Sequence, residues 1–331
     1  TLSLLVAGGM MFWPAPDLEE GTLEYTLVQP NLKQTAINDP RQYEPTFLDL
    51  AALSVREDET ANRIVLWPES AVPDYLRPGY PERYYAATTA RADPEFARAR
   101  IGQVIGENSV LLTGAVDLEI GTVDGQPNAV GAYNAVTALS DSGAIVGSYR
   151  KAHLVPYGEY LALRWLLEPL GASRLVAGTI DFLPGPGPKT LDLGAHGNAG
   201  MQICYEIIFS GEVTERGARP DYIFNPSNDG WFGLWGPPQF HAQARMRAIE
   251  EGLPVLRSTT TGISAVIDAN GIVRQLLGAG EKDRLDGRVP PAKPPTLFAI
   301  AGNWLPLGWA ALLLLLALLL PSLVARRRAR S

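Results

Sequence analysis

The chain has 331 residues, of which 46% are hydrophobic and 19% are charged, and its formal net charge is −7. This composition is too apolar for a disordered chain and too mixed for a multi-pass membrane protein. The acidic balance argues against binding of nucleic acid through its phosphates. Because Cys204 is the only cysteine, no disulfide can form within the chain, and cysteine usage leaves the compartment open.

The N-terminus is apolar but short. Its first segment, TLSLLVAGGMMFWP, falls below the roughly 20 residues that a membrane helix needs, and it lacks the basic start of a signal sequence. We therefore predict that residues 1–16 are the end of a transmembrane helix whose beginning is missing, so that the chain is N-terminally truncated.

The C-terminus carries a longer apolar run. No charged residue occurs between Pro294 and Ala325, and four arginines follow within residues 326–331. This pattern predicts a transmembrane helix over 297–325 and, by the positive-inside rule, a cytoplasmic Arg-rich tail over 326–331. A catalytic domain over 17–280 and a polar, Pro-rich linker over 281–296 would then lie on the other side of the membrane. The alternative is a buried core helix.

Between the two ends, short apolar runs alternate with longer helical stretches. Strands are predicted over 22–29, 63–67, 109–116, 132–139, 144–151, 199–204, 221–226, 254–259 and 263–268. Helices are predicted over 41–57, 94–106, 206–218 and 238–252. Turn residues at 141–143 and 268–271 predict hairpins. Strands that alternate with helices and later pair as hairpins favour a mixed α/β sandwich.

Three of the predicted strands lead to a reactive side chain, namely Glu69, Lys151 and Cys204. Taken singly, each has an ordinary explanation as a helix N-terminal charge, a solvated strand edge or a small core residue. Together they comprise a base, a cation and a thiol nucleophile. A thiol needs a base or a cation to become a thiolate, and attack on a carbonyl builds an oxyanion that a cation stabilises. Spacing alone leaves open whether the three side chains meet.

The segments around these residues, LWPES, YRKAHLVPYGEY and CYE, resemble the Glu-Lys-Cys signatures of the nitrilase, or carbon–nitrogen hydrolase, superfamily. NPSNDGWFG at 225–233 and the stretch after it resemble one branch, the apolipoprotein N-acyltransferases of bacterial inner membranes. The resemblance implies an αββα sandwich in which Glu69 is the general base, Lys151 the oxyanion partner and Cys204 the nucleophile.

The same resemblance implies three supporting residues. Glu159, in YGEY, would support the lysine, and Tyr205 and Glu206 would flank the nucleophile. The backbone N–H of Tyr205 would be an oxyanion donor. His153 follows the lysine closely, and a structural hydrogen-bonding role is expected for it rather than a catalytic one.

An enzyme of this branch would move a fatty acyl chain from a membrane phospholipid, through a cysteine thioester, to the N-terminal diacylglyceryl-cysteine of an apolipoprotein. The implied partners are a phospholipid donor and an apolipoprotein acceptor, and the implied location is the inner membrane with a periplasmic active site. Two alternatives stay open: a membrane-tethered amidase or nitrilase that uses water, and an inactive binding module. No cofactor and no metal is expected, because HExxH, CxxC and P-loop spacings are absent from the sequence.

Two further stretches, 160–170 and 231–240, are rich in aromatic and large apolar residues. They are interpreted either as ordinary core or as loops that contact lipid at the membrane interface.

Overall fold

The computed structural model describes residues 20–56, 61–161, 163, 165 and 181–328, and in the last helix it describes side chains as far as 319. The predicted helix end at 1–16, most of the 160–170 stretch and the side chains of the Arg-rich tail lie outside the described residues.

Twelve strands are found in the described residues, and they form two six-stranded sheets. They are β1 (Glu24–Gln29), β2 (Arg63–Leu66), β3 (Ser109–Val123), β4 (Gln126–Ser140), β5 (Ile145–Arg150), β6 (Thr190–Asp192), β7 (Asn198–Met201), β8 (Tyr222–Ser227), β9 (Val255–Thr259), β10 (Ser264–Ile267), β11 (Val273–Leu277) and β12 (Asp283–Arg288). The orders are β12-β1-β2-β3-β4-β5 and β11-β10-β9-β8-β7-β6.

Each sheet has a parallel centre with antiparallel strands at its sides. Strands β1, β2 and β3 are parallel, as are β7, β8 and β9. The remaining neighbours pair in the antiparallel direction, including the hairpins β4–β5 and β10–β11. Both predicted hairpin turns, at 141–143 and 268–271, are thereby confirmed.

The helices are α1 (Pro40–Ser54), α2 (Glu82–Thr88), α3 (Pro94–Ile105), α4 (Gly236–Glu251), α5 (Leu297–Ala301) and α6 (Trp304–Arg328). Two of them begin with an Asp-Pro pair. The side chains of Asp39 and Asp93 accept hydrogen bonds from backbone amides of the first turn, and the proline that follows is already in helical conformation and lacks the amide that would go unpaired.

The core is built in layers. One cluster joins the facing sides of the two sheets, with Leu27 and Leu66 on the first sheet against Met201 and Phe224 on the second. Helices α1 and α3 pack on the outer side of the first sheet, and α4 packs on the outer side of the second. The order helix, sheet, sheet, helix is the αββα sandwich that the resemblance implied.

Three differences from the predicted elements have physical causes. The helix predicted over 206–218 is wrong: only a 3-10 turn, Cys204–Ile208, forms, because Gly211 and Gly217 adopt positive φ angles of 76° and 85°. Strands β6 and β11 and helix α2 are short and were not predicted. Strand β12 lies inside the predicted linker and pairs with β1.

The region of the predicted C-terminal membrane helix contains α5 and α6, which are separated at Gly302. Within the described part of the chain, no helix combines the length and the apolar composition that crossing a membrane requires.

Candidate active site

The three predicted reactive residues lie just beyond the carboxyl ends of three strands. Glu69 follows β2, Lys151 follows β5 directly and Cys204 follows β7. The carboxyl ends of parallel strands are the usual location of ligand sites in α/β sheets. Here β2 and β5 belong to the first sheet and β7 to the second, so the site lies where the two sheets face each other.

The side chains meet in the interior. The Lys151 ammonium Nζ lies 2.9 Å from Oε2 of Glu159 and 3.6 Å from Oε1 of Glu69. Cys204 is 3% exposed and interacts electrostatically with both Glu69 and Lys151. All four residues line one cavity of about 590 Å³. The structure therefore brings together four of the six residues that the motifs singled out.

Asn134, on β4, is a site residue that the sequence reasoning missed. Its amide Nδ2 donates to Oε1 of Glu69 at 2.7 Å and to Oε1 of Glu159 at 2.8 Å. The single amide group thus holds the two carboxylates on either side of the lysine. Asn134 sits in the more apolar second half of β4, between Tyr133 and Ala135, and an asparagine in such a position is the one signal that could have found it.

The second oxygen of Glu69 is also occupied. Oε2 accepts a hydrogen bond of 2.7 Å from the backbone amide of Asn228, in the predicted NPSNDGWFG motif. The Asn228 side chain is held in turn by Gln34 and Thr260. Glu69 is thereby fixed from both sheets, and a carboxylate held in this way is preorganised for proton transfer.

The charge state of the site follows from its neighbours. Burial by itself lowers the pKa of the Lys151 ammonium, but Glu159, Glu69 and Cys204 outweigh it, and the pKa is raised. Burial raises the pKa of the Cys204 thiol to about 12; the charge of Glu69 adds to this, and Lys151 opposes it. At neutral pH, Lys151 is therefore a cation and Cys204 a thiol that must lose its proton to react.

The backbone at Cys204 has a left-handed conformation, with φ of 50°. A non-glycine residue in this region carries strain and persists only where its surroundings enforce it. Glu206 supplies that enforcement: its carboxylate accepts from the backbone amides of Ile203, Ala152 and His153 and from the Tyr149 hydroxyl. It thereby ties the loop of Cys204 to the loop of Lys151.

Glu206 is outside the described lining of the cavity, as is Tyr205. Burial raises the pKa of the Glu206 carboxyl, against the opposing hydrogen bond from Tyr149. The Tyr205 ring lies edge-on to Phe209, at 5.2 Å between centroids. The His153 ring stacks on the same Phe209 ring, at 4.2 Å between centroids. These residues support the turn that carries Cys204.

The cavity wall is largely apolar away from the charged group. It includes Val72, Pro73, Val116, Leu118, Phe182, Trp231 and Phe232. The loop that follows is open to solvent, since Leu234 is 91% exposed and Trp235 is 83% exposed. Of the two interpretations of the 231–240 stretch, ordinary core therefore fits Phe240, a buried residue of α4, and Phe232, which packs against the core, but not Leu234 or Trp235.

The chain resembles curated proteins over most of its length. It is 41% identical over 321 residues to the apolipoprotein N-acyltransferase of Bradyrhizobium diazoefficiens, and the aligned region covers 91% of this chain and 53% of that protein. It is 35% identical over 327 residues to the protein of the same name from Rhodopseudomonas palustris, covering 96% of this chain and 57% of that protein. The chain thus spans about half the length of the curated relatives it matches.

Solved structures share the fold at much lower identity. A mutant of the Nesterenkonia AN1 amidase, from the nitrilase superfamily, superposes with a TM-score of 0.55 at 18% identity over 82% of this chain and 92% of that one. A carbon–nitrogen hydrolase from Helicobacter pylori G27 gives a TM-score of 0.53 at 15% identity over 80% of this chain and 88% of that one. The sequence profile of the carbon–nitrogen hydrolase family matches residues 27–292. The chain belongs to the carbon–nitrogen hydrolase family.

Proposed function

We propose that this chain is the catalytic part of an apolipoprotein N-acyltransferase, which moves an acyl chain from a phospholipid to the α-amine of an N-terminal diacylglyceryl-cysteine. The observation that carries the proposal is the meeting of Glu69, Lys151 and Cys204 in one largely apolar cavity. The names of the curated relatives supply the acyl transfer and the acceptor class, and the phospholipid donor is what the sequence resemblance implies.

In the first half of the reaction, Glu69 takes the proton of the Cys204 thiol, and the sulfur attacks the ester carbonyl carbon of the phospholipid. The carbonyl oxygen becomes an oxyanion, which the Lys151 ammonium and the Tyr205 backbone N–H stabilise. Collapse breaks the ester C–O bond and leaves a thioester. The proton held by Glu69 passes to the leaving oxygen, and a lysophospholipid departs.

In the second half, the α-amine of the acceptor attacks the thioester carbon. Glu69 takes a proton from the amine, the C–S bond breaks and the Cys204 sulfur recovers a proton, which leaves an amide on the acceptor. Glu159 and Asn134 are positioning residues in both halves, because they hold Lys151 and Glu69 in place. Glu206 positions the turn that carries the sulfur.

A membrane location is part of the proposal. We infer that the C-terminal helix anchors the chain in the bacterial inner membrane, with residues 326–331 in the cytoplasm and the catalytic domain in the periplasm. The leucines of α6 between 312 and 319 are exposed around the helix rather than packed on the domain, as expected for a helix that is apolar on every side. The exposed pair Leu234 and Trp235 would contact the same interface.

The topology has a direct test. Alkaline phosphatase fused after Pro295 follows the last strand of the domain, β12, so the fusion leaves both sheets complete. Activity of this reporter, which requires export, supports a periplasmic domain. Activity of a cytoplasmic reporter alone at the same position contradicts it.

The activity is tested by incubating membranes that contain the chain with a phospholipid labelled in its acyl chain and a diacylated lipopeptide with a free N-terminus. Label in the lipopeptide supports acyl transfer. Label released as free fatty acid indicates a hydrolase that uses water, and no turnover indicates a binding module. The Cys204→Ala variant is the control, since its loss of label transfer ties the activity to this site.

A further inference from the structure

The loop that follows β1 contacts the loop that follows β8. Asn228, after β8, donates from its side-chain Nδ2 to Oε1 of Gln34, after β1, at 2.6 Å. The first loop is tied down nearby, since the backbone amide of Leu32 donates to the carbonyl oxygen of Thr260 at 2.9 Å. Gly230 also approaches it closely, because a Cβ added at Gly230 would lie 3.4 Å from Cβ of Gln34. Gln34 is therefore held between loops of the two sheets.

The hydrogen bonds of Asn228 determine which end of the Gln34 amide faces it. Oδ1 of Asn228 accepts from the backbone amide of Gly230 at 3.2 Å and from the hydroxyl of Thr260 at 3.0 Å. A backbone amide can only donate, so the Asn228 atom on that side is the oxygen, and the atom that faces Gln34 is the nitrogen. The Gln34 atom that accepts from this nitrogen must be Oε1, which turns the two N–H donors of Nε2 away from Asn228.

These two donors of Gln34 are free to bind a ligand. Gln34 is half-buried and lines the active-site cavity, and its Nε2 has no hydrogen-bond partner among the residues that the structure describes. The side-chain amide of Asn134, in the same wall, instead gives both of its donors to carboxylates. A fixed amide with free donors in a largely apolar cavity is suited to bind an acceptor oxygen of a substrate.

The position of Gln34 relative to Glu69 indicates which substrate it contacts. Asn228, which holds Gln34 through its side chain, donates its backbone amide to Oε2 of Glu69 at 2.7 Å. The Lys151 ammonium lies 3.6 Å from the other oxygen, Oε1. Lys151 and Gln34 thus lie toward different oxygens of one carboxylate. Because Lys151 is the proposed oxyanion partner of the acyl carbonyl, Gln34 is left to contact the molecule that attacks the acyl group.

We propose that Gln34 binds the acyl acceptor, by donating from Nε2 to the carbonyl oxygen of the acceptor's first residue while Glu69 takes a proton from the α-amine of that residue. In this step the new N–C bond forms, the C–S bond breaks, and the proton passes from Glu69 to the Cys204 sulfur. An uncharged carbonyl oxygen fits better than a phosphate, because the carboxylate of Glu69 disfavours a second anion beside it. The assignment rests on the proposed function and adds a binding contact for the acceptor.

The test measures the two halves of the reaction separately in Gln34→Met, which keeps the length of the side chain and removes its donors. The full chain in membranes is first acylated with phospholipid alone, and the adduct is followed by intact mass. A diacylated lipopeptide is then added, and the loss of the adduct is timed. Acyl-enzyme formation should stay within threefold of the parent chain. Transfer to the lipopeptide should slow about tenfold, the upper end for one uncharged hydrogen bond.

An acceptor that lacks the carbonyl isolates the proposed contact. Diacylglyceryl-cysteamine has the same thioether and a primary amine, but it has no carbonyl group next to the carbon that bears the amine. Gln34→Met and the parent chain should transfer to this acceptor at rates within twofold of each other, because the hydrogen bond is absent in both. A residue that acts only by holding Asn228, and through it Glu69, would slow transfer to both acceptors.

The matched control is Thr260→Val. This change removes the other side-chain hydrogen bond that holds Asn228, and Thr260 is not among the described residues that line the cavity. Any loss of rate should fall equally on acyl-enzyme formation and on transfer, because Glu69 takes part in both.

Four results would overturn the assignment of Gln34. They are transfer by Gln34→Met to the lipopeptide within twofold of the parent rate, as for an amide that is merely solvated; an equal loss in acyl-enzyme formation; a defect that persists with diacylglyceryl-cysteamine; and the same selective loss in Thr260→Val. A parent chain that forms the thioester and releases only free fatty acid would instead reject the proposed function, and the acceptor contact with it.

Discussion

Replacing Lys151 by methionine should lower both the free energy of unfolding and the rate of acyl-enzyme formation, for two different physical reasons. The lysine side chain is 1% exposed and has two carboxylates within 4 Å. Removing it leaves Glu69 and Glu159 buried without a cation. Loss of one partner of a buried ion pair costs about 3–5 kcal/mol. Asn134 and the backbone amides of Asn228 and Val155 still donate to the carboxylates, so a loss near the lower end, about 3 kcal/mol, is expected.

The effect on rate comes from the transition state. Losing one oxyanion donor costs on the order of 10²–10³ in rate, and the pKa of Cys204 loses the lowering that Lys151 supplies. The Lys151→Met chain should therefore form the acyl-enzyme with phospholipid at least a hundredfold more slowly, roughly the lower bound for one such donor. Mass spectrometry measures the adduct, and urea unfolding measures stability. Lys151→Arg should not rescue the rate, because a planar guanidinium does not replace a compact ammonium.

The double variant Lys151→Met/Glu159→Gln separates the two effects. Neutralising Glu159 returns the site to the net charge it has with the lysine present, so much of the lost stability should return. The rate should not, because the oxyanion still has no cation. If Lys151→Met forms the adduct within tenfold of the parent rate, or if the double variant recovers the rate together with stability, the assigned role of Lys151 is wrong.

The remaining predictions concern the other members of the site and one half-buried histidine. Cys204→Ala should give no acyl adduct with phospholipid, and an adduct on this variant would place the nucleophile elsewhere. Glu69→Gln should form the thioester adduct, which neutral hydroxylamine cleaves, much more slowly than the parent chain. Asn134→Ala removes two hydrogen bonds to carboxylates, so the free energy of unfolding in urea should fall by about 2–4 kcal/mol. A single such bond contributes at least about 0.5 kcal/mol, so a smaller loss would count against the bridging role of Asn134. Burial and the charges of Arg257 and Arg245 lower the pKa of His241 to about 4. Between about pH 6.5 and 4, His241 is therefore protonated in the unfolded chain and neutral in the folded chain. As the pH falls through that window, the free energy of unfolding should decrease by about 1–2 kcal/mol, a figure reduced because His241 is partly exposed. His241→Gln should remove this part of the pH dependence.

The sequence by itself is enough to identify the candidate reactive residues. Glu69, Lys151 and Cys204 each follow a short apolar run, and the motifs around them carry the family signature. The strands that deliver them are also readable, because their apolar runs are bounded by turn residues. Short elements escape this reading: β6 has three residues, and β12 is polar because it lies at a sheet edge, where pairing with β1 rather than hydrophobic burial decides its structure.

What only the tertiary structure decides is the partnership among residues far apart in the chain. Asn134 connects two carboxylates, one of them 65 positions away, and Arg257 holds Asp229 in a polar cluster that no local pattern indicates. The left-handed backbone at Cys204 likewise depends on Glu206 and the loop of Lys151. The apolar pattern of a strand predicts that strand without knowledge of its partners, because the pattern depends only on which of its own side chains are buried. Hydrogen bonds and ion pairs between buried polar groups need both partners in place, and the packing of one sheet on the other provides that.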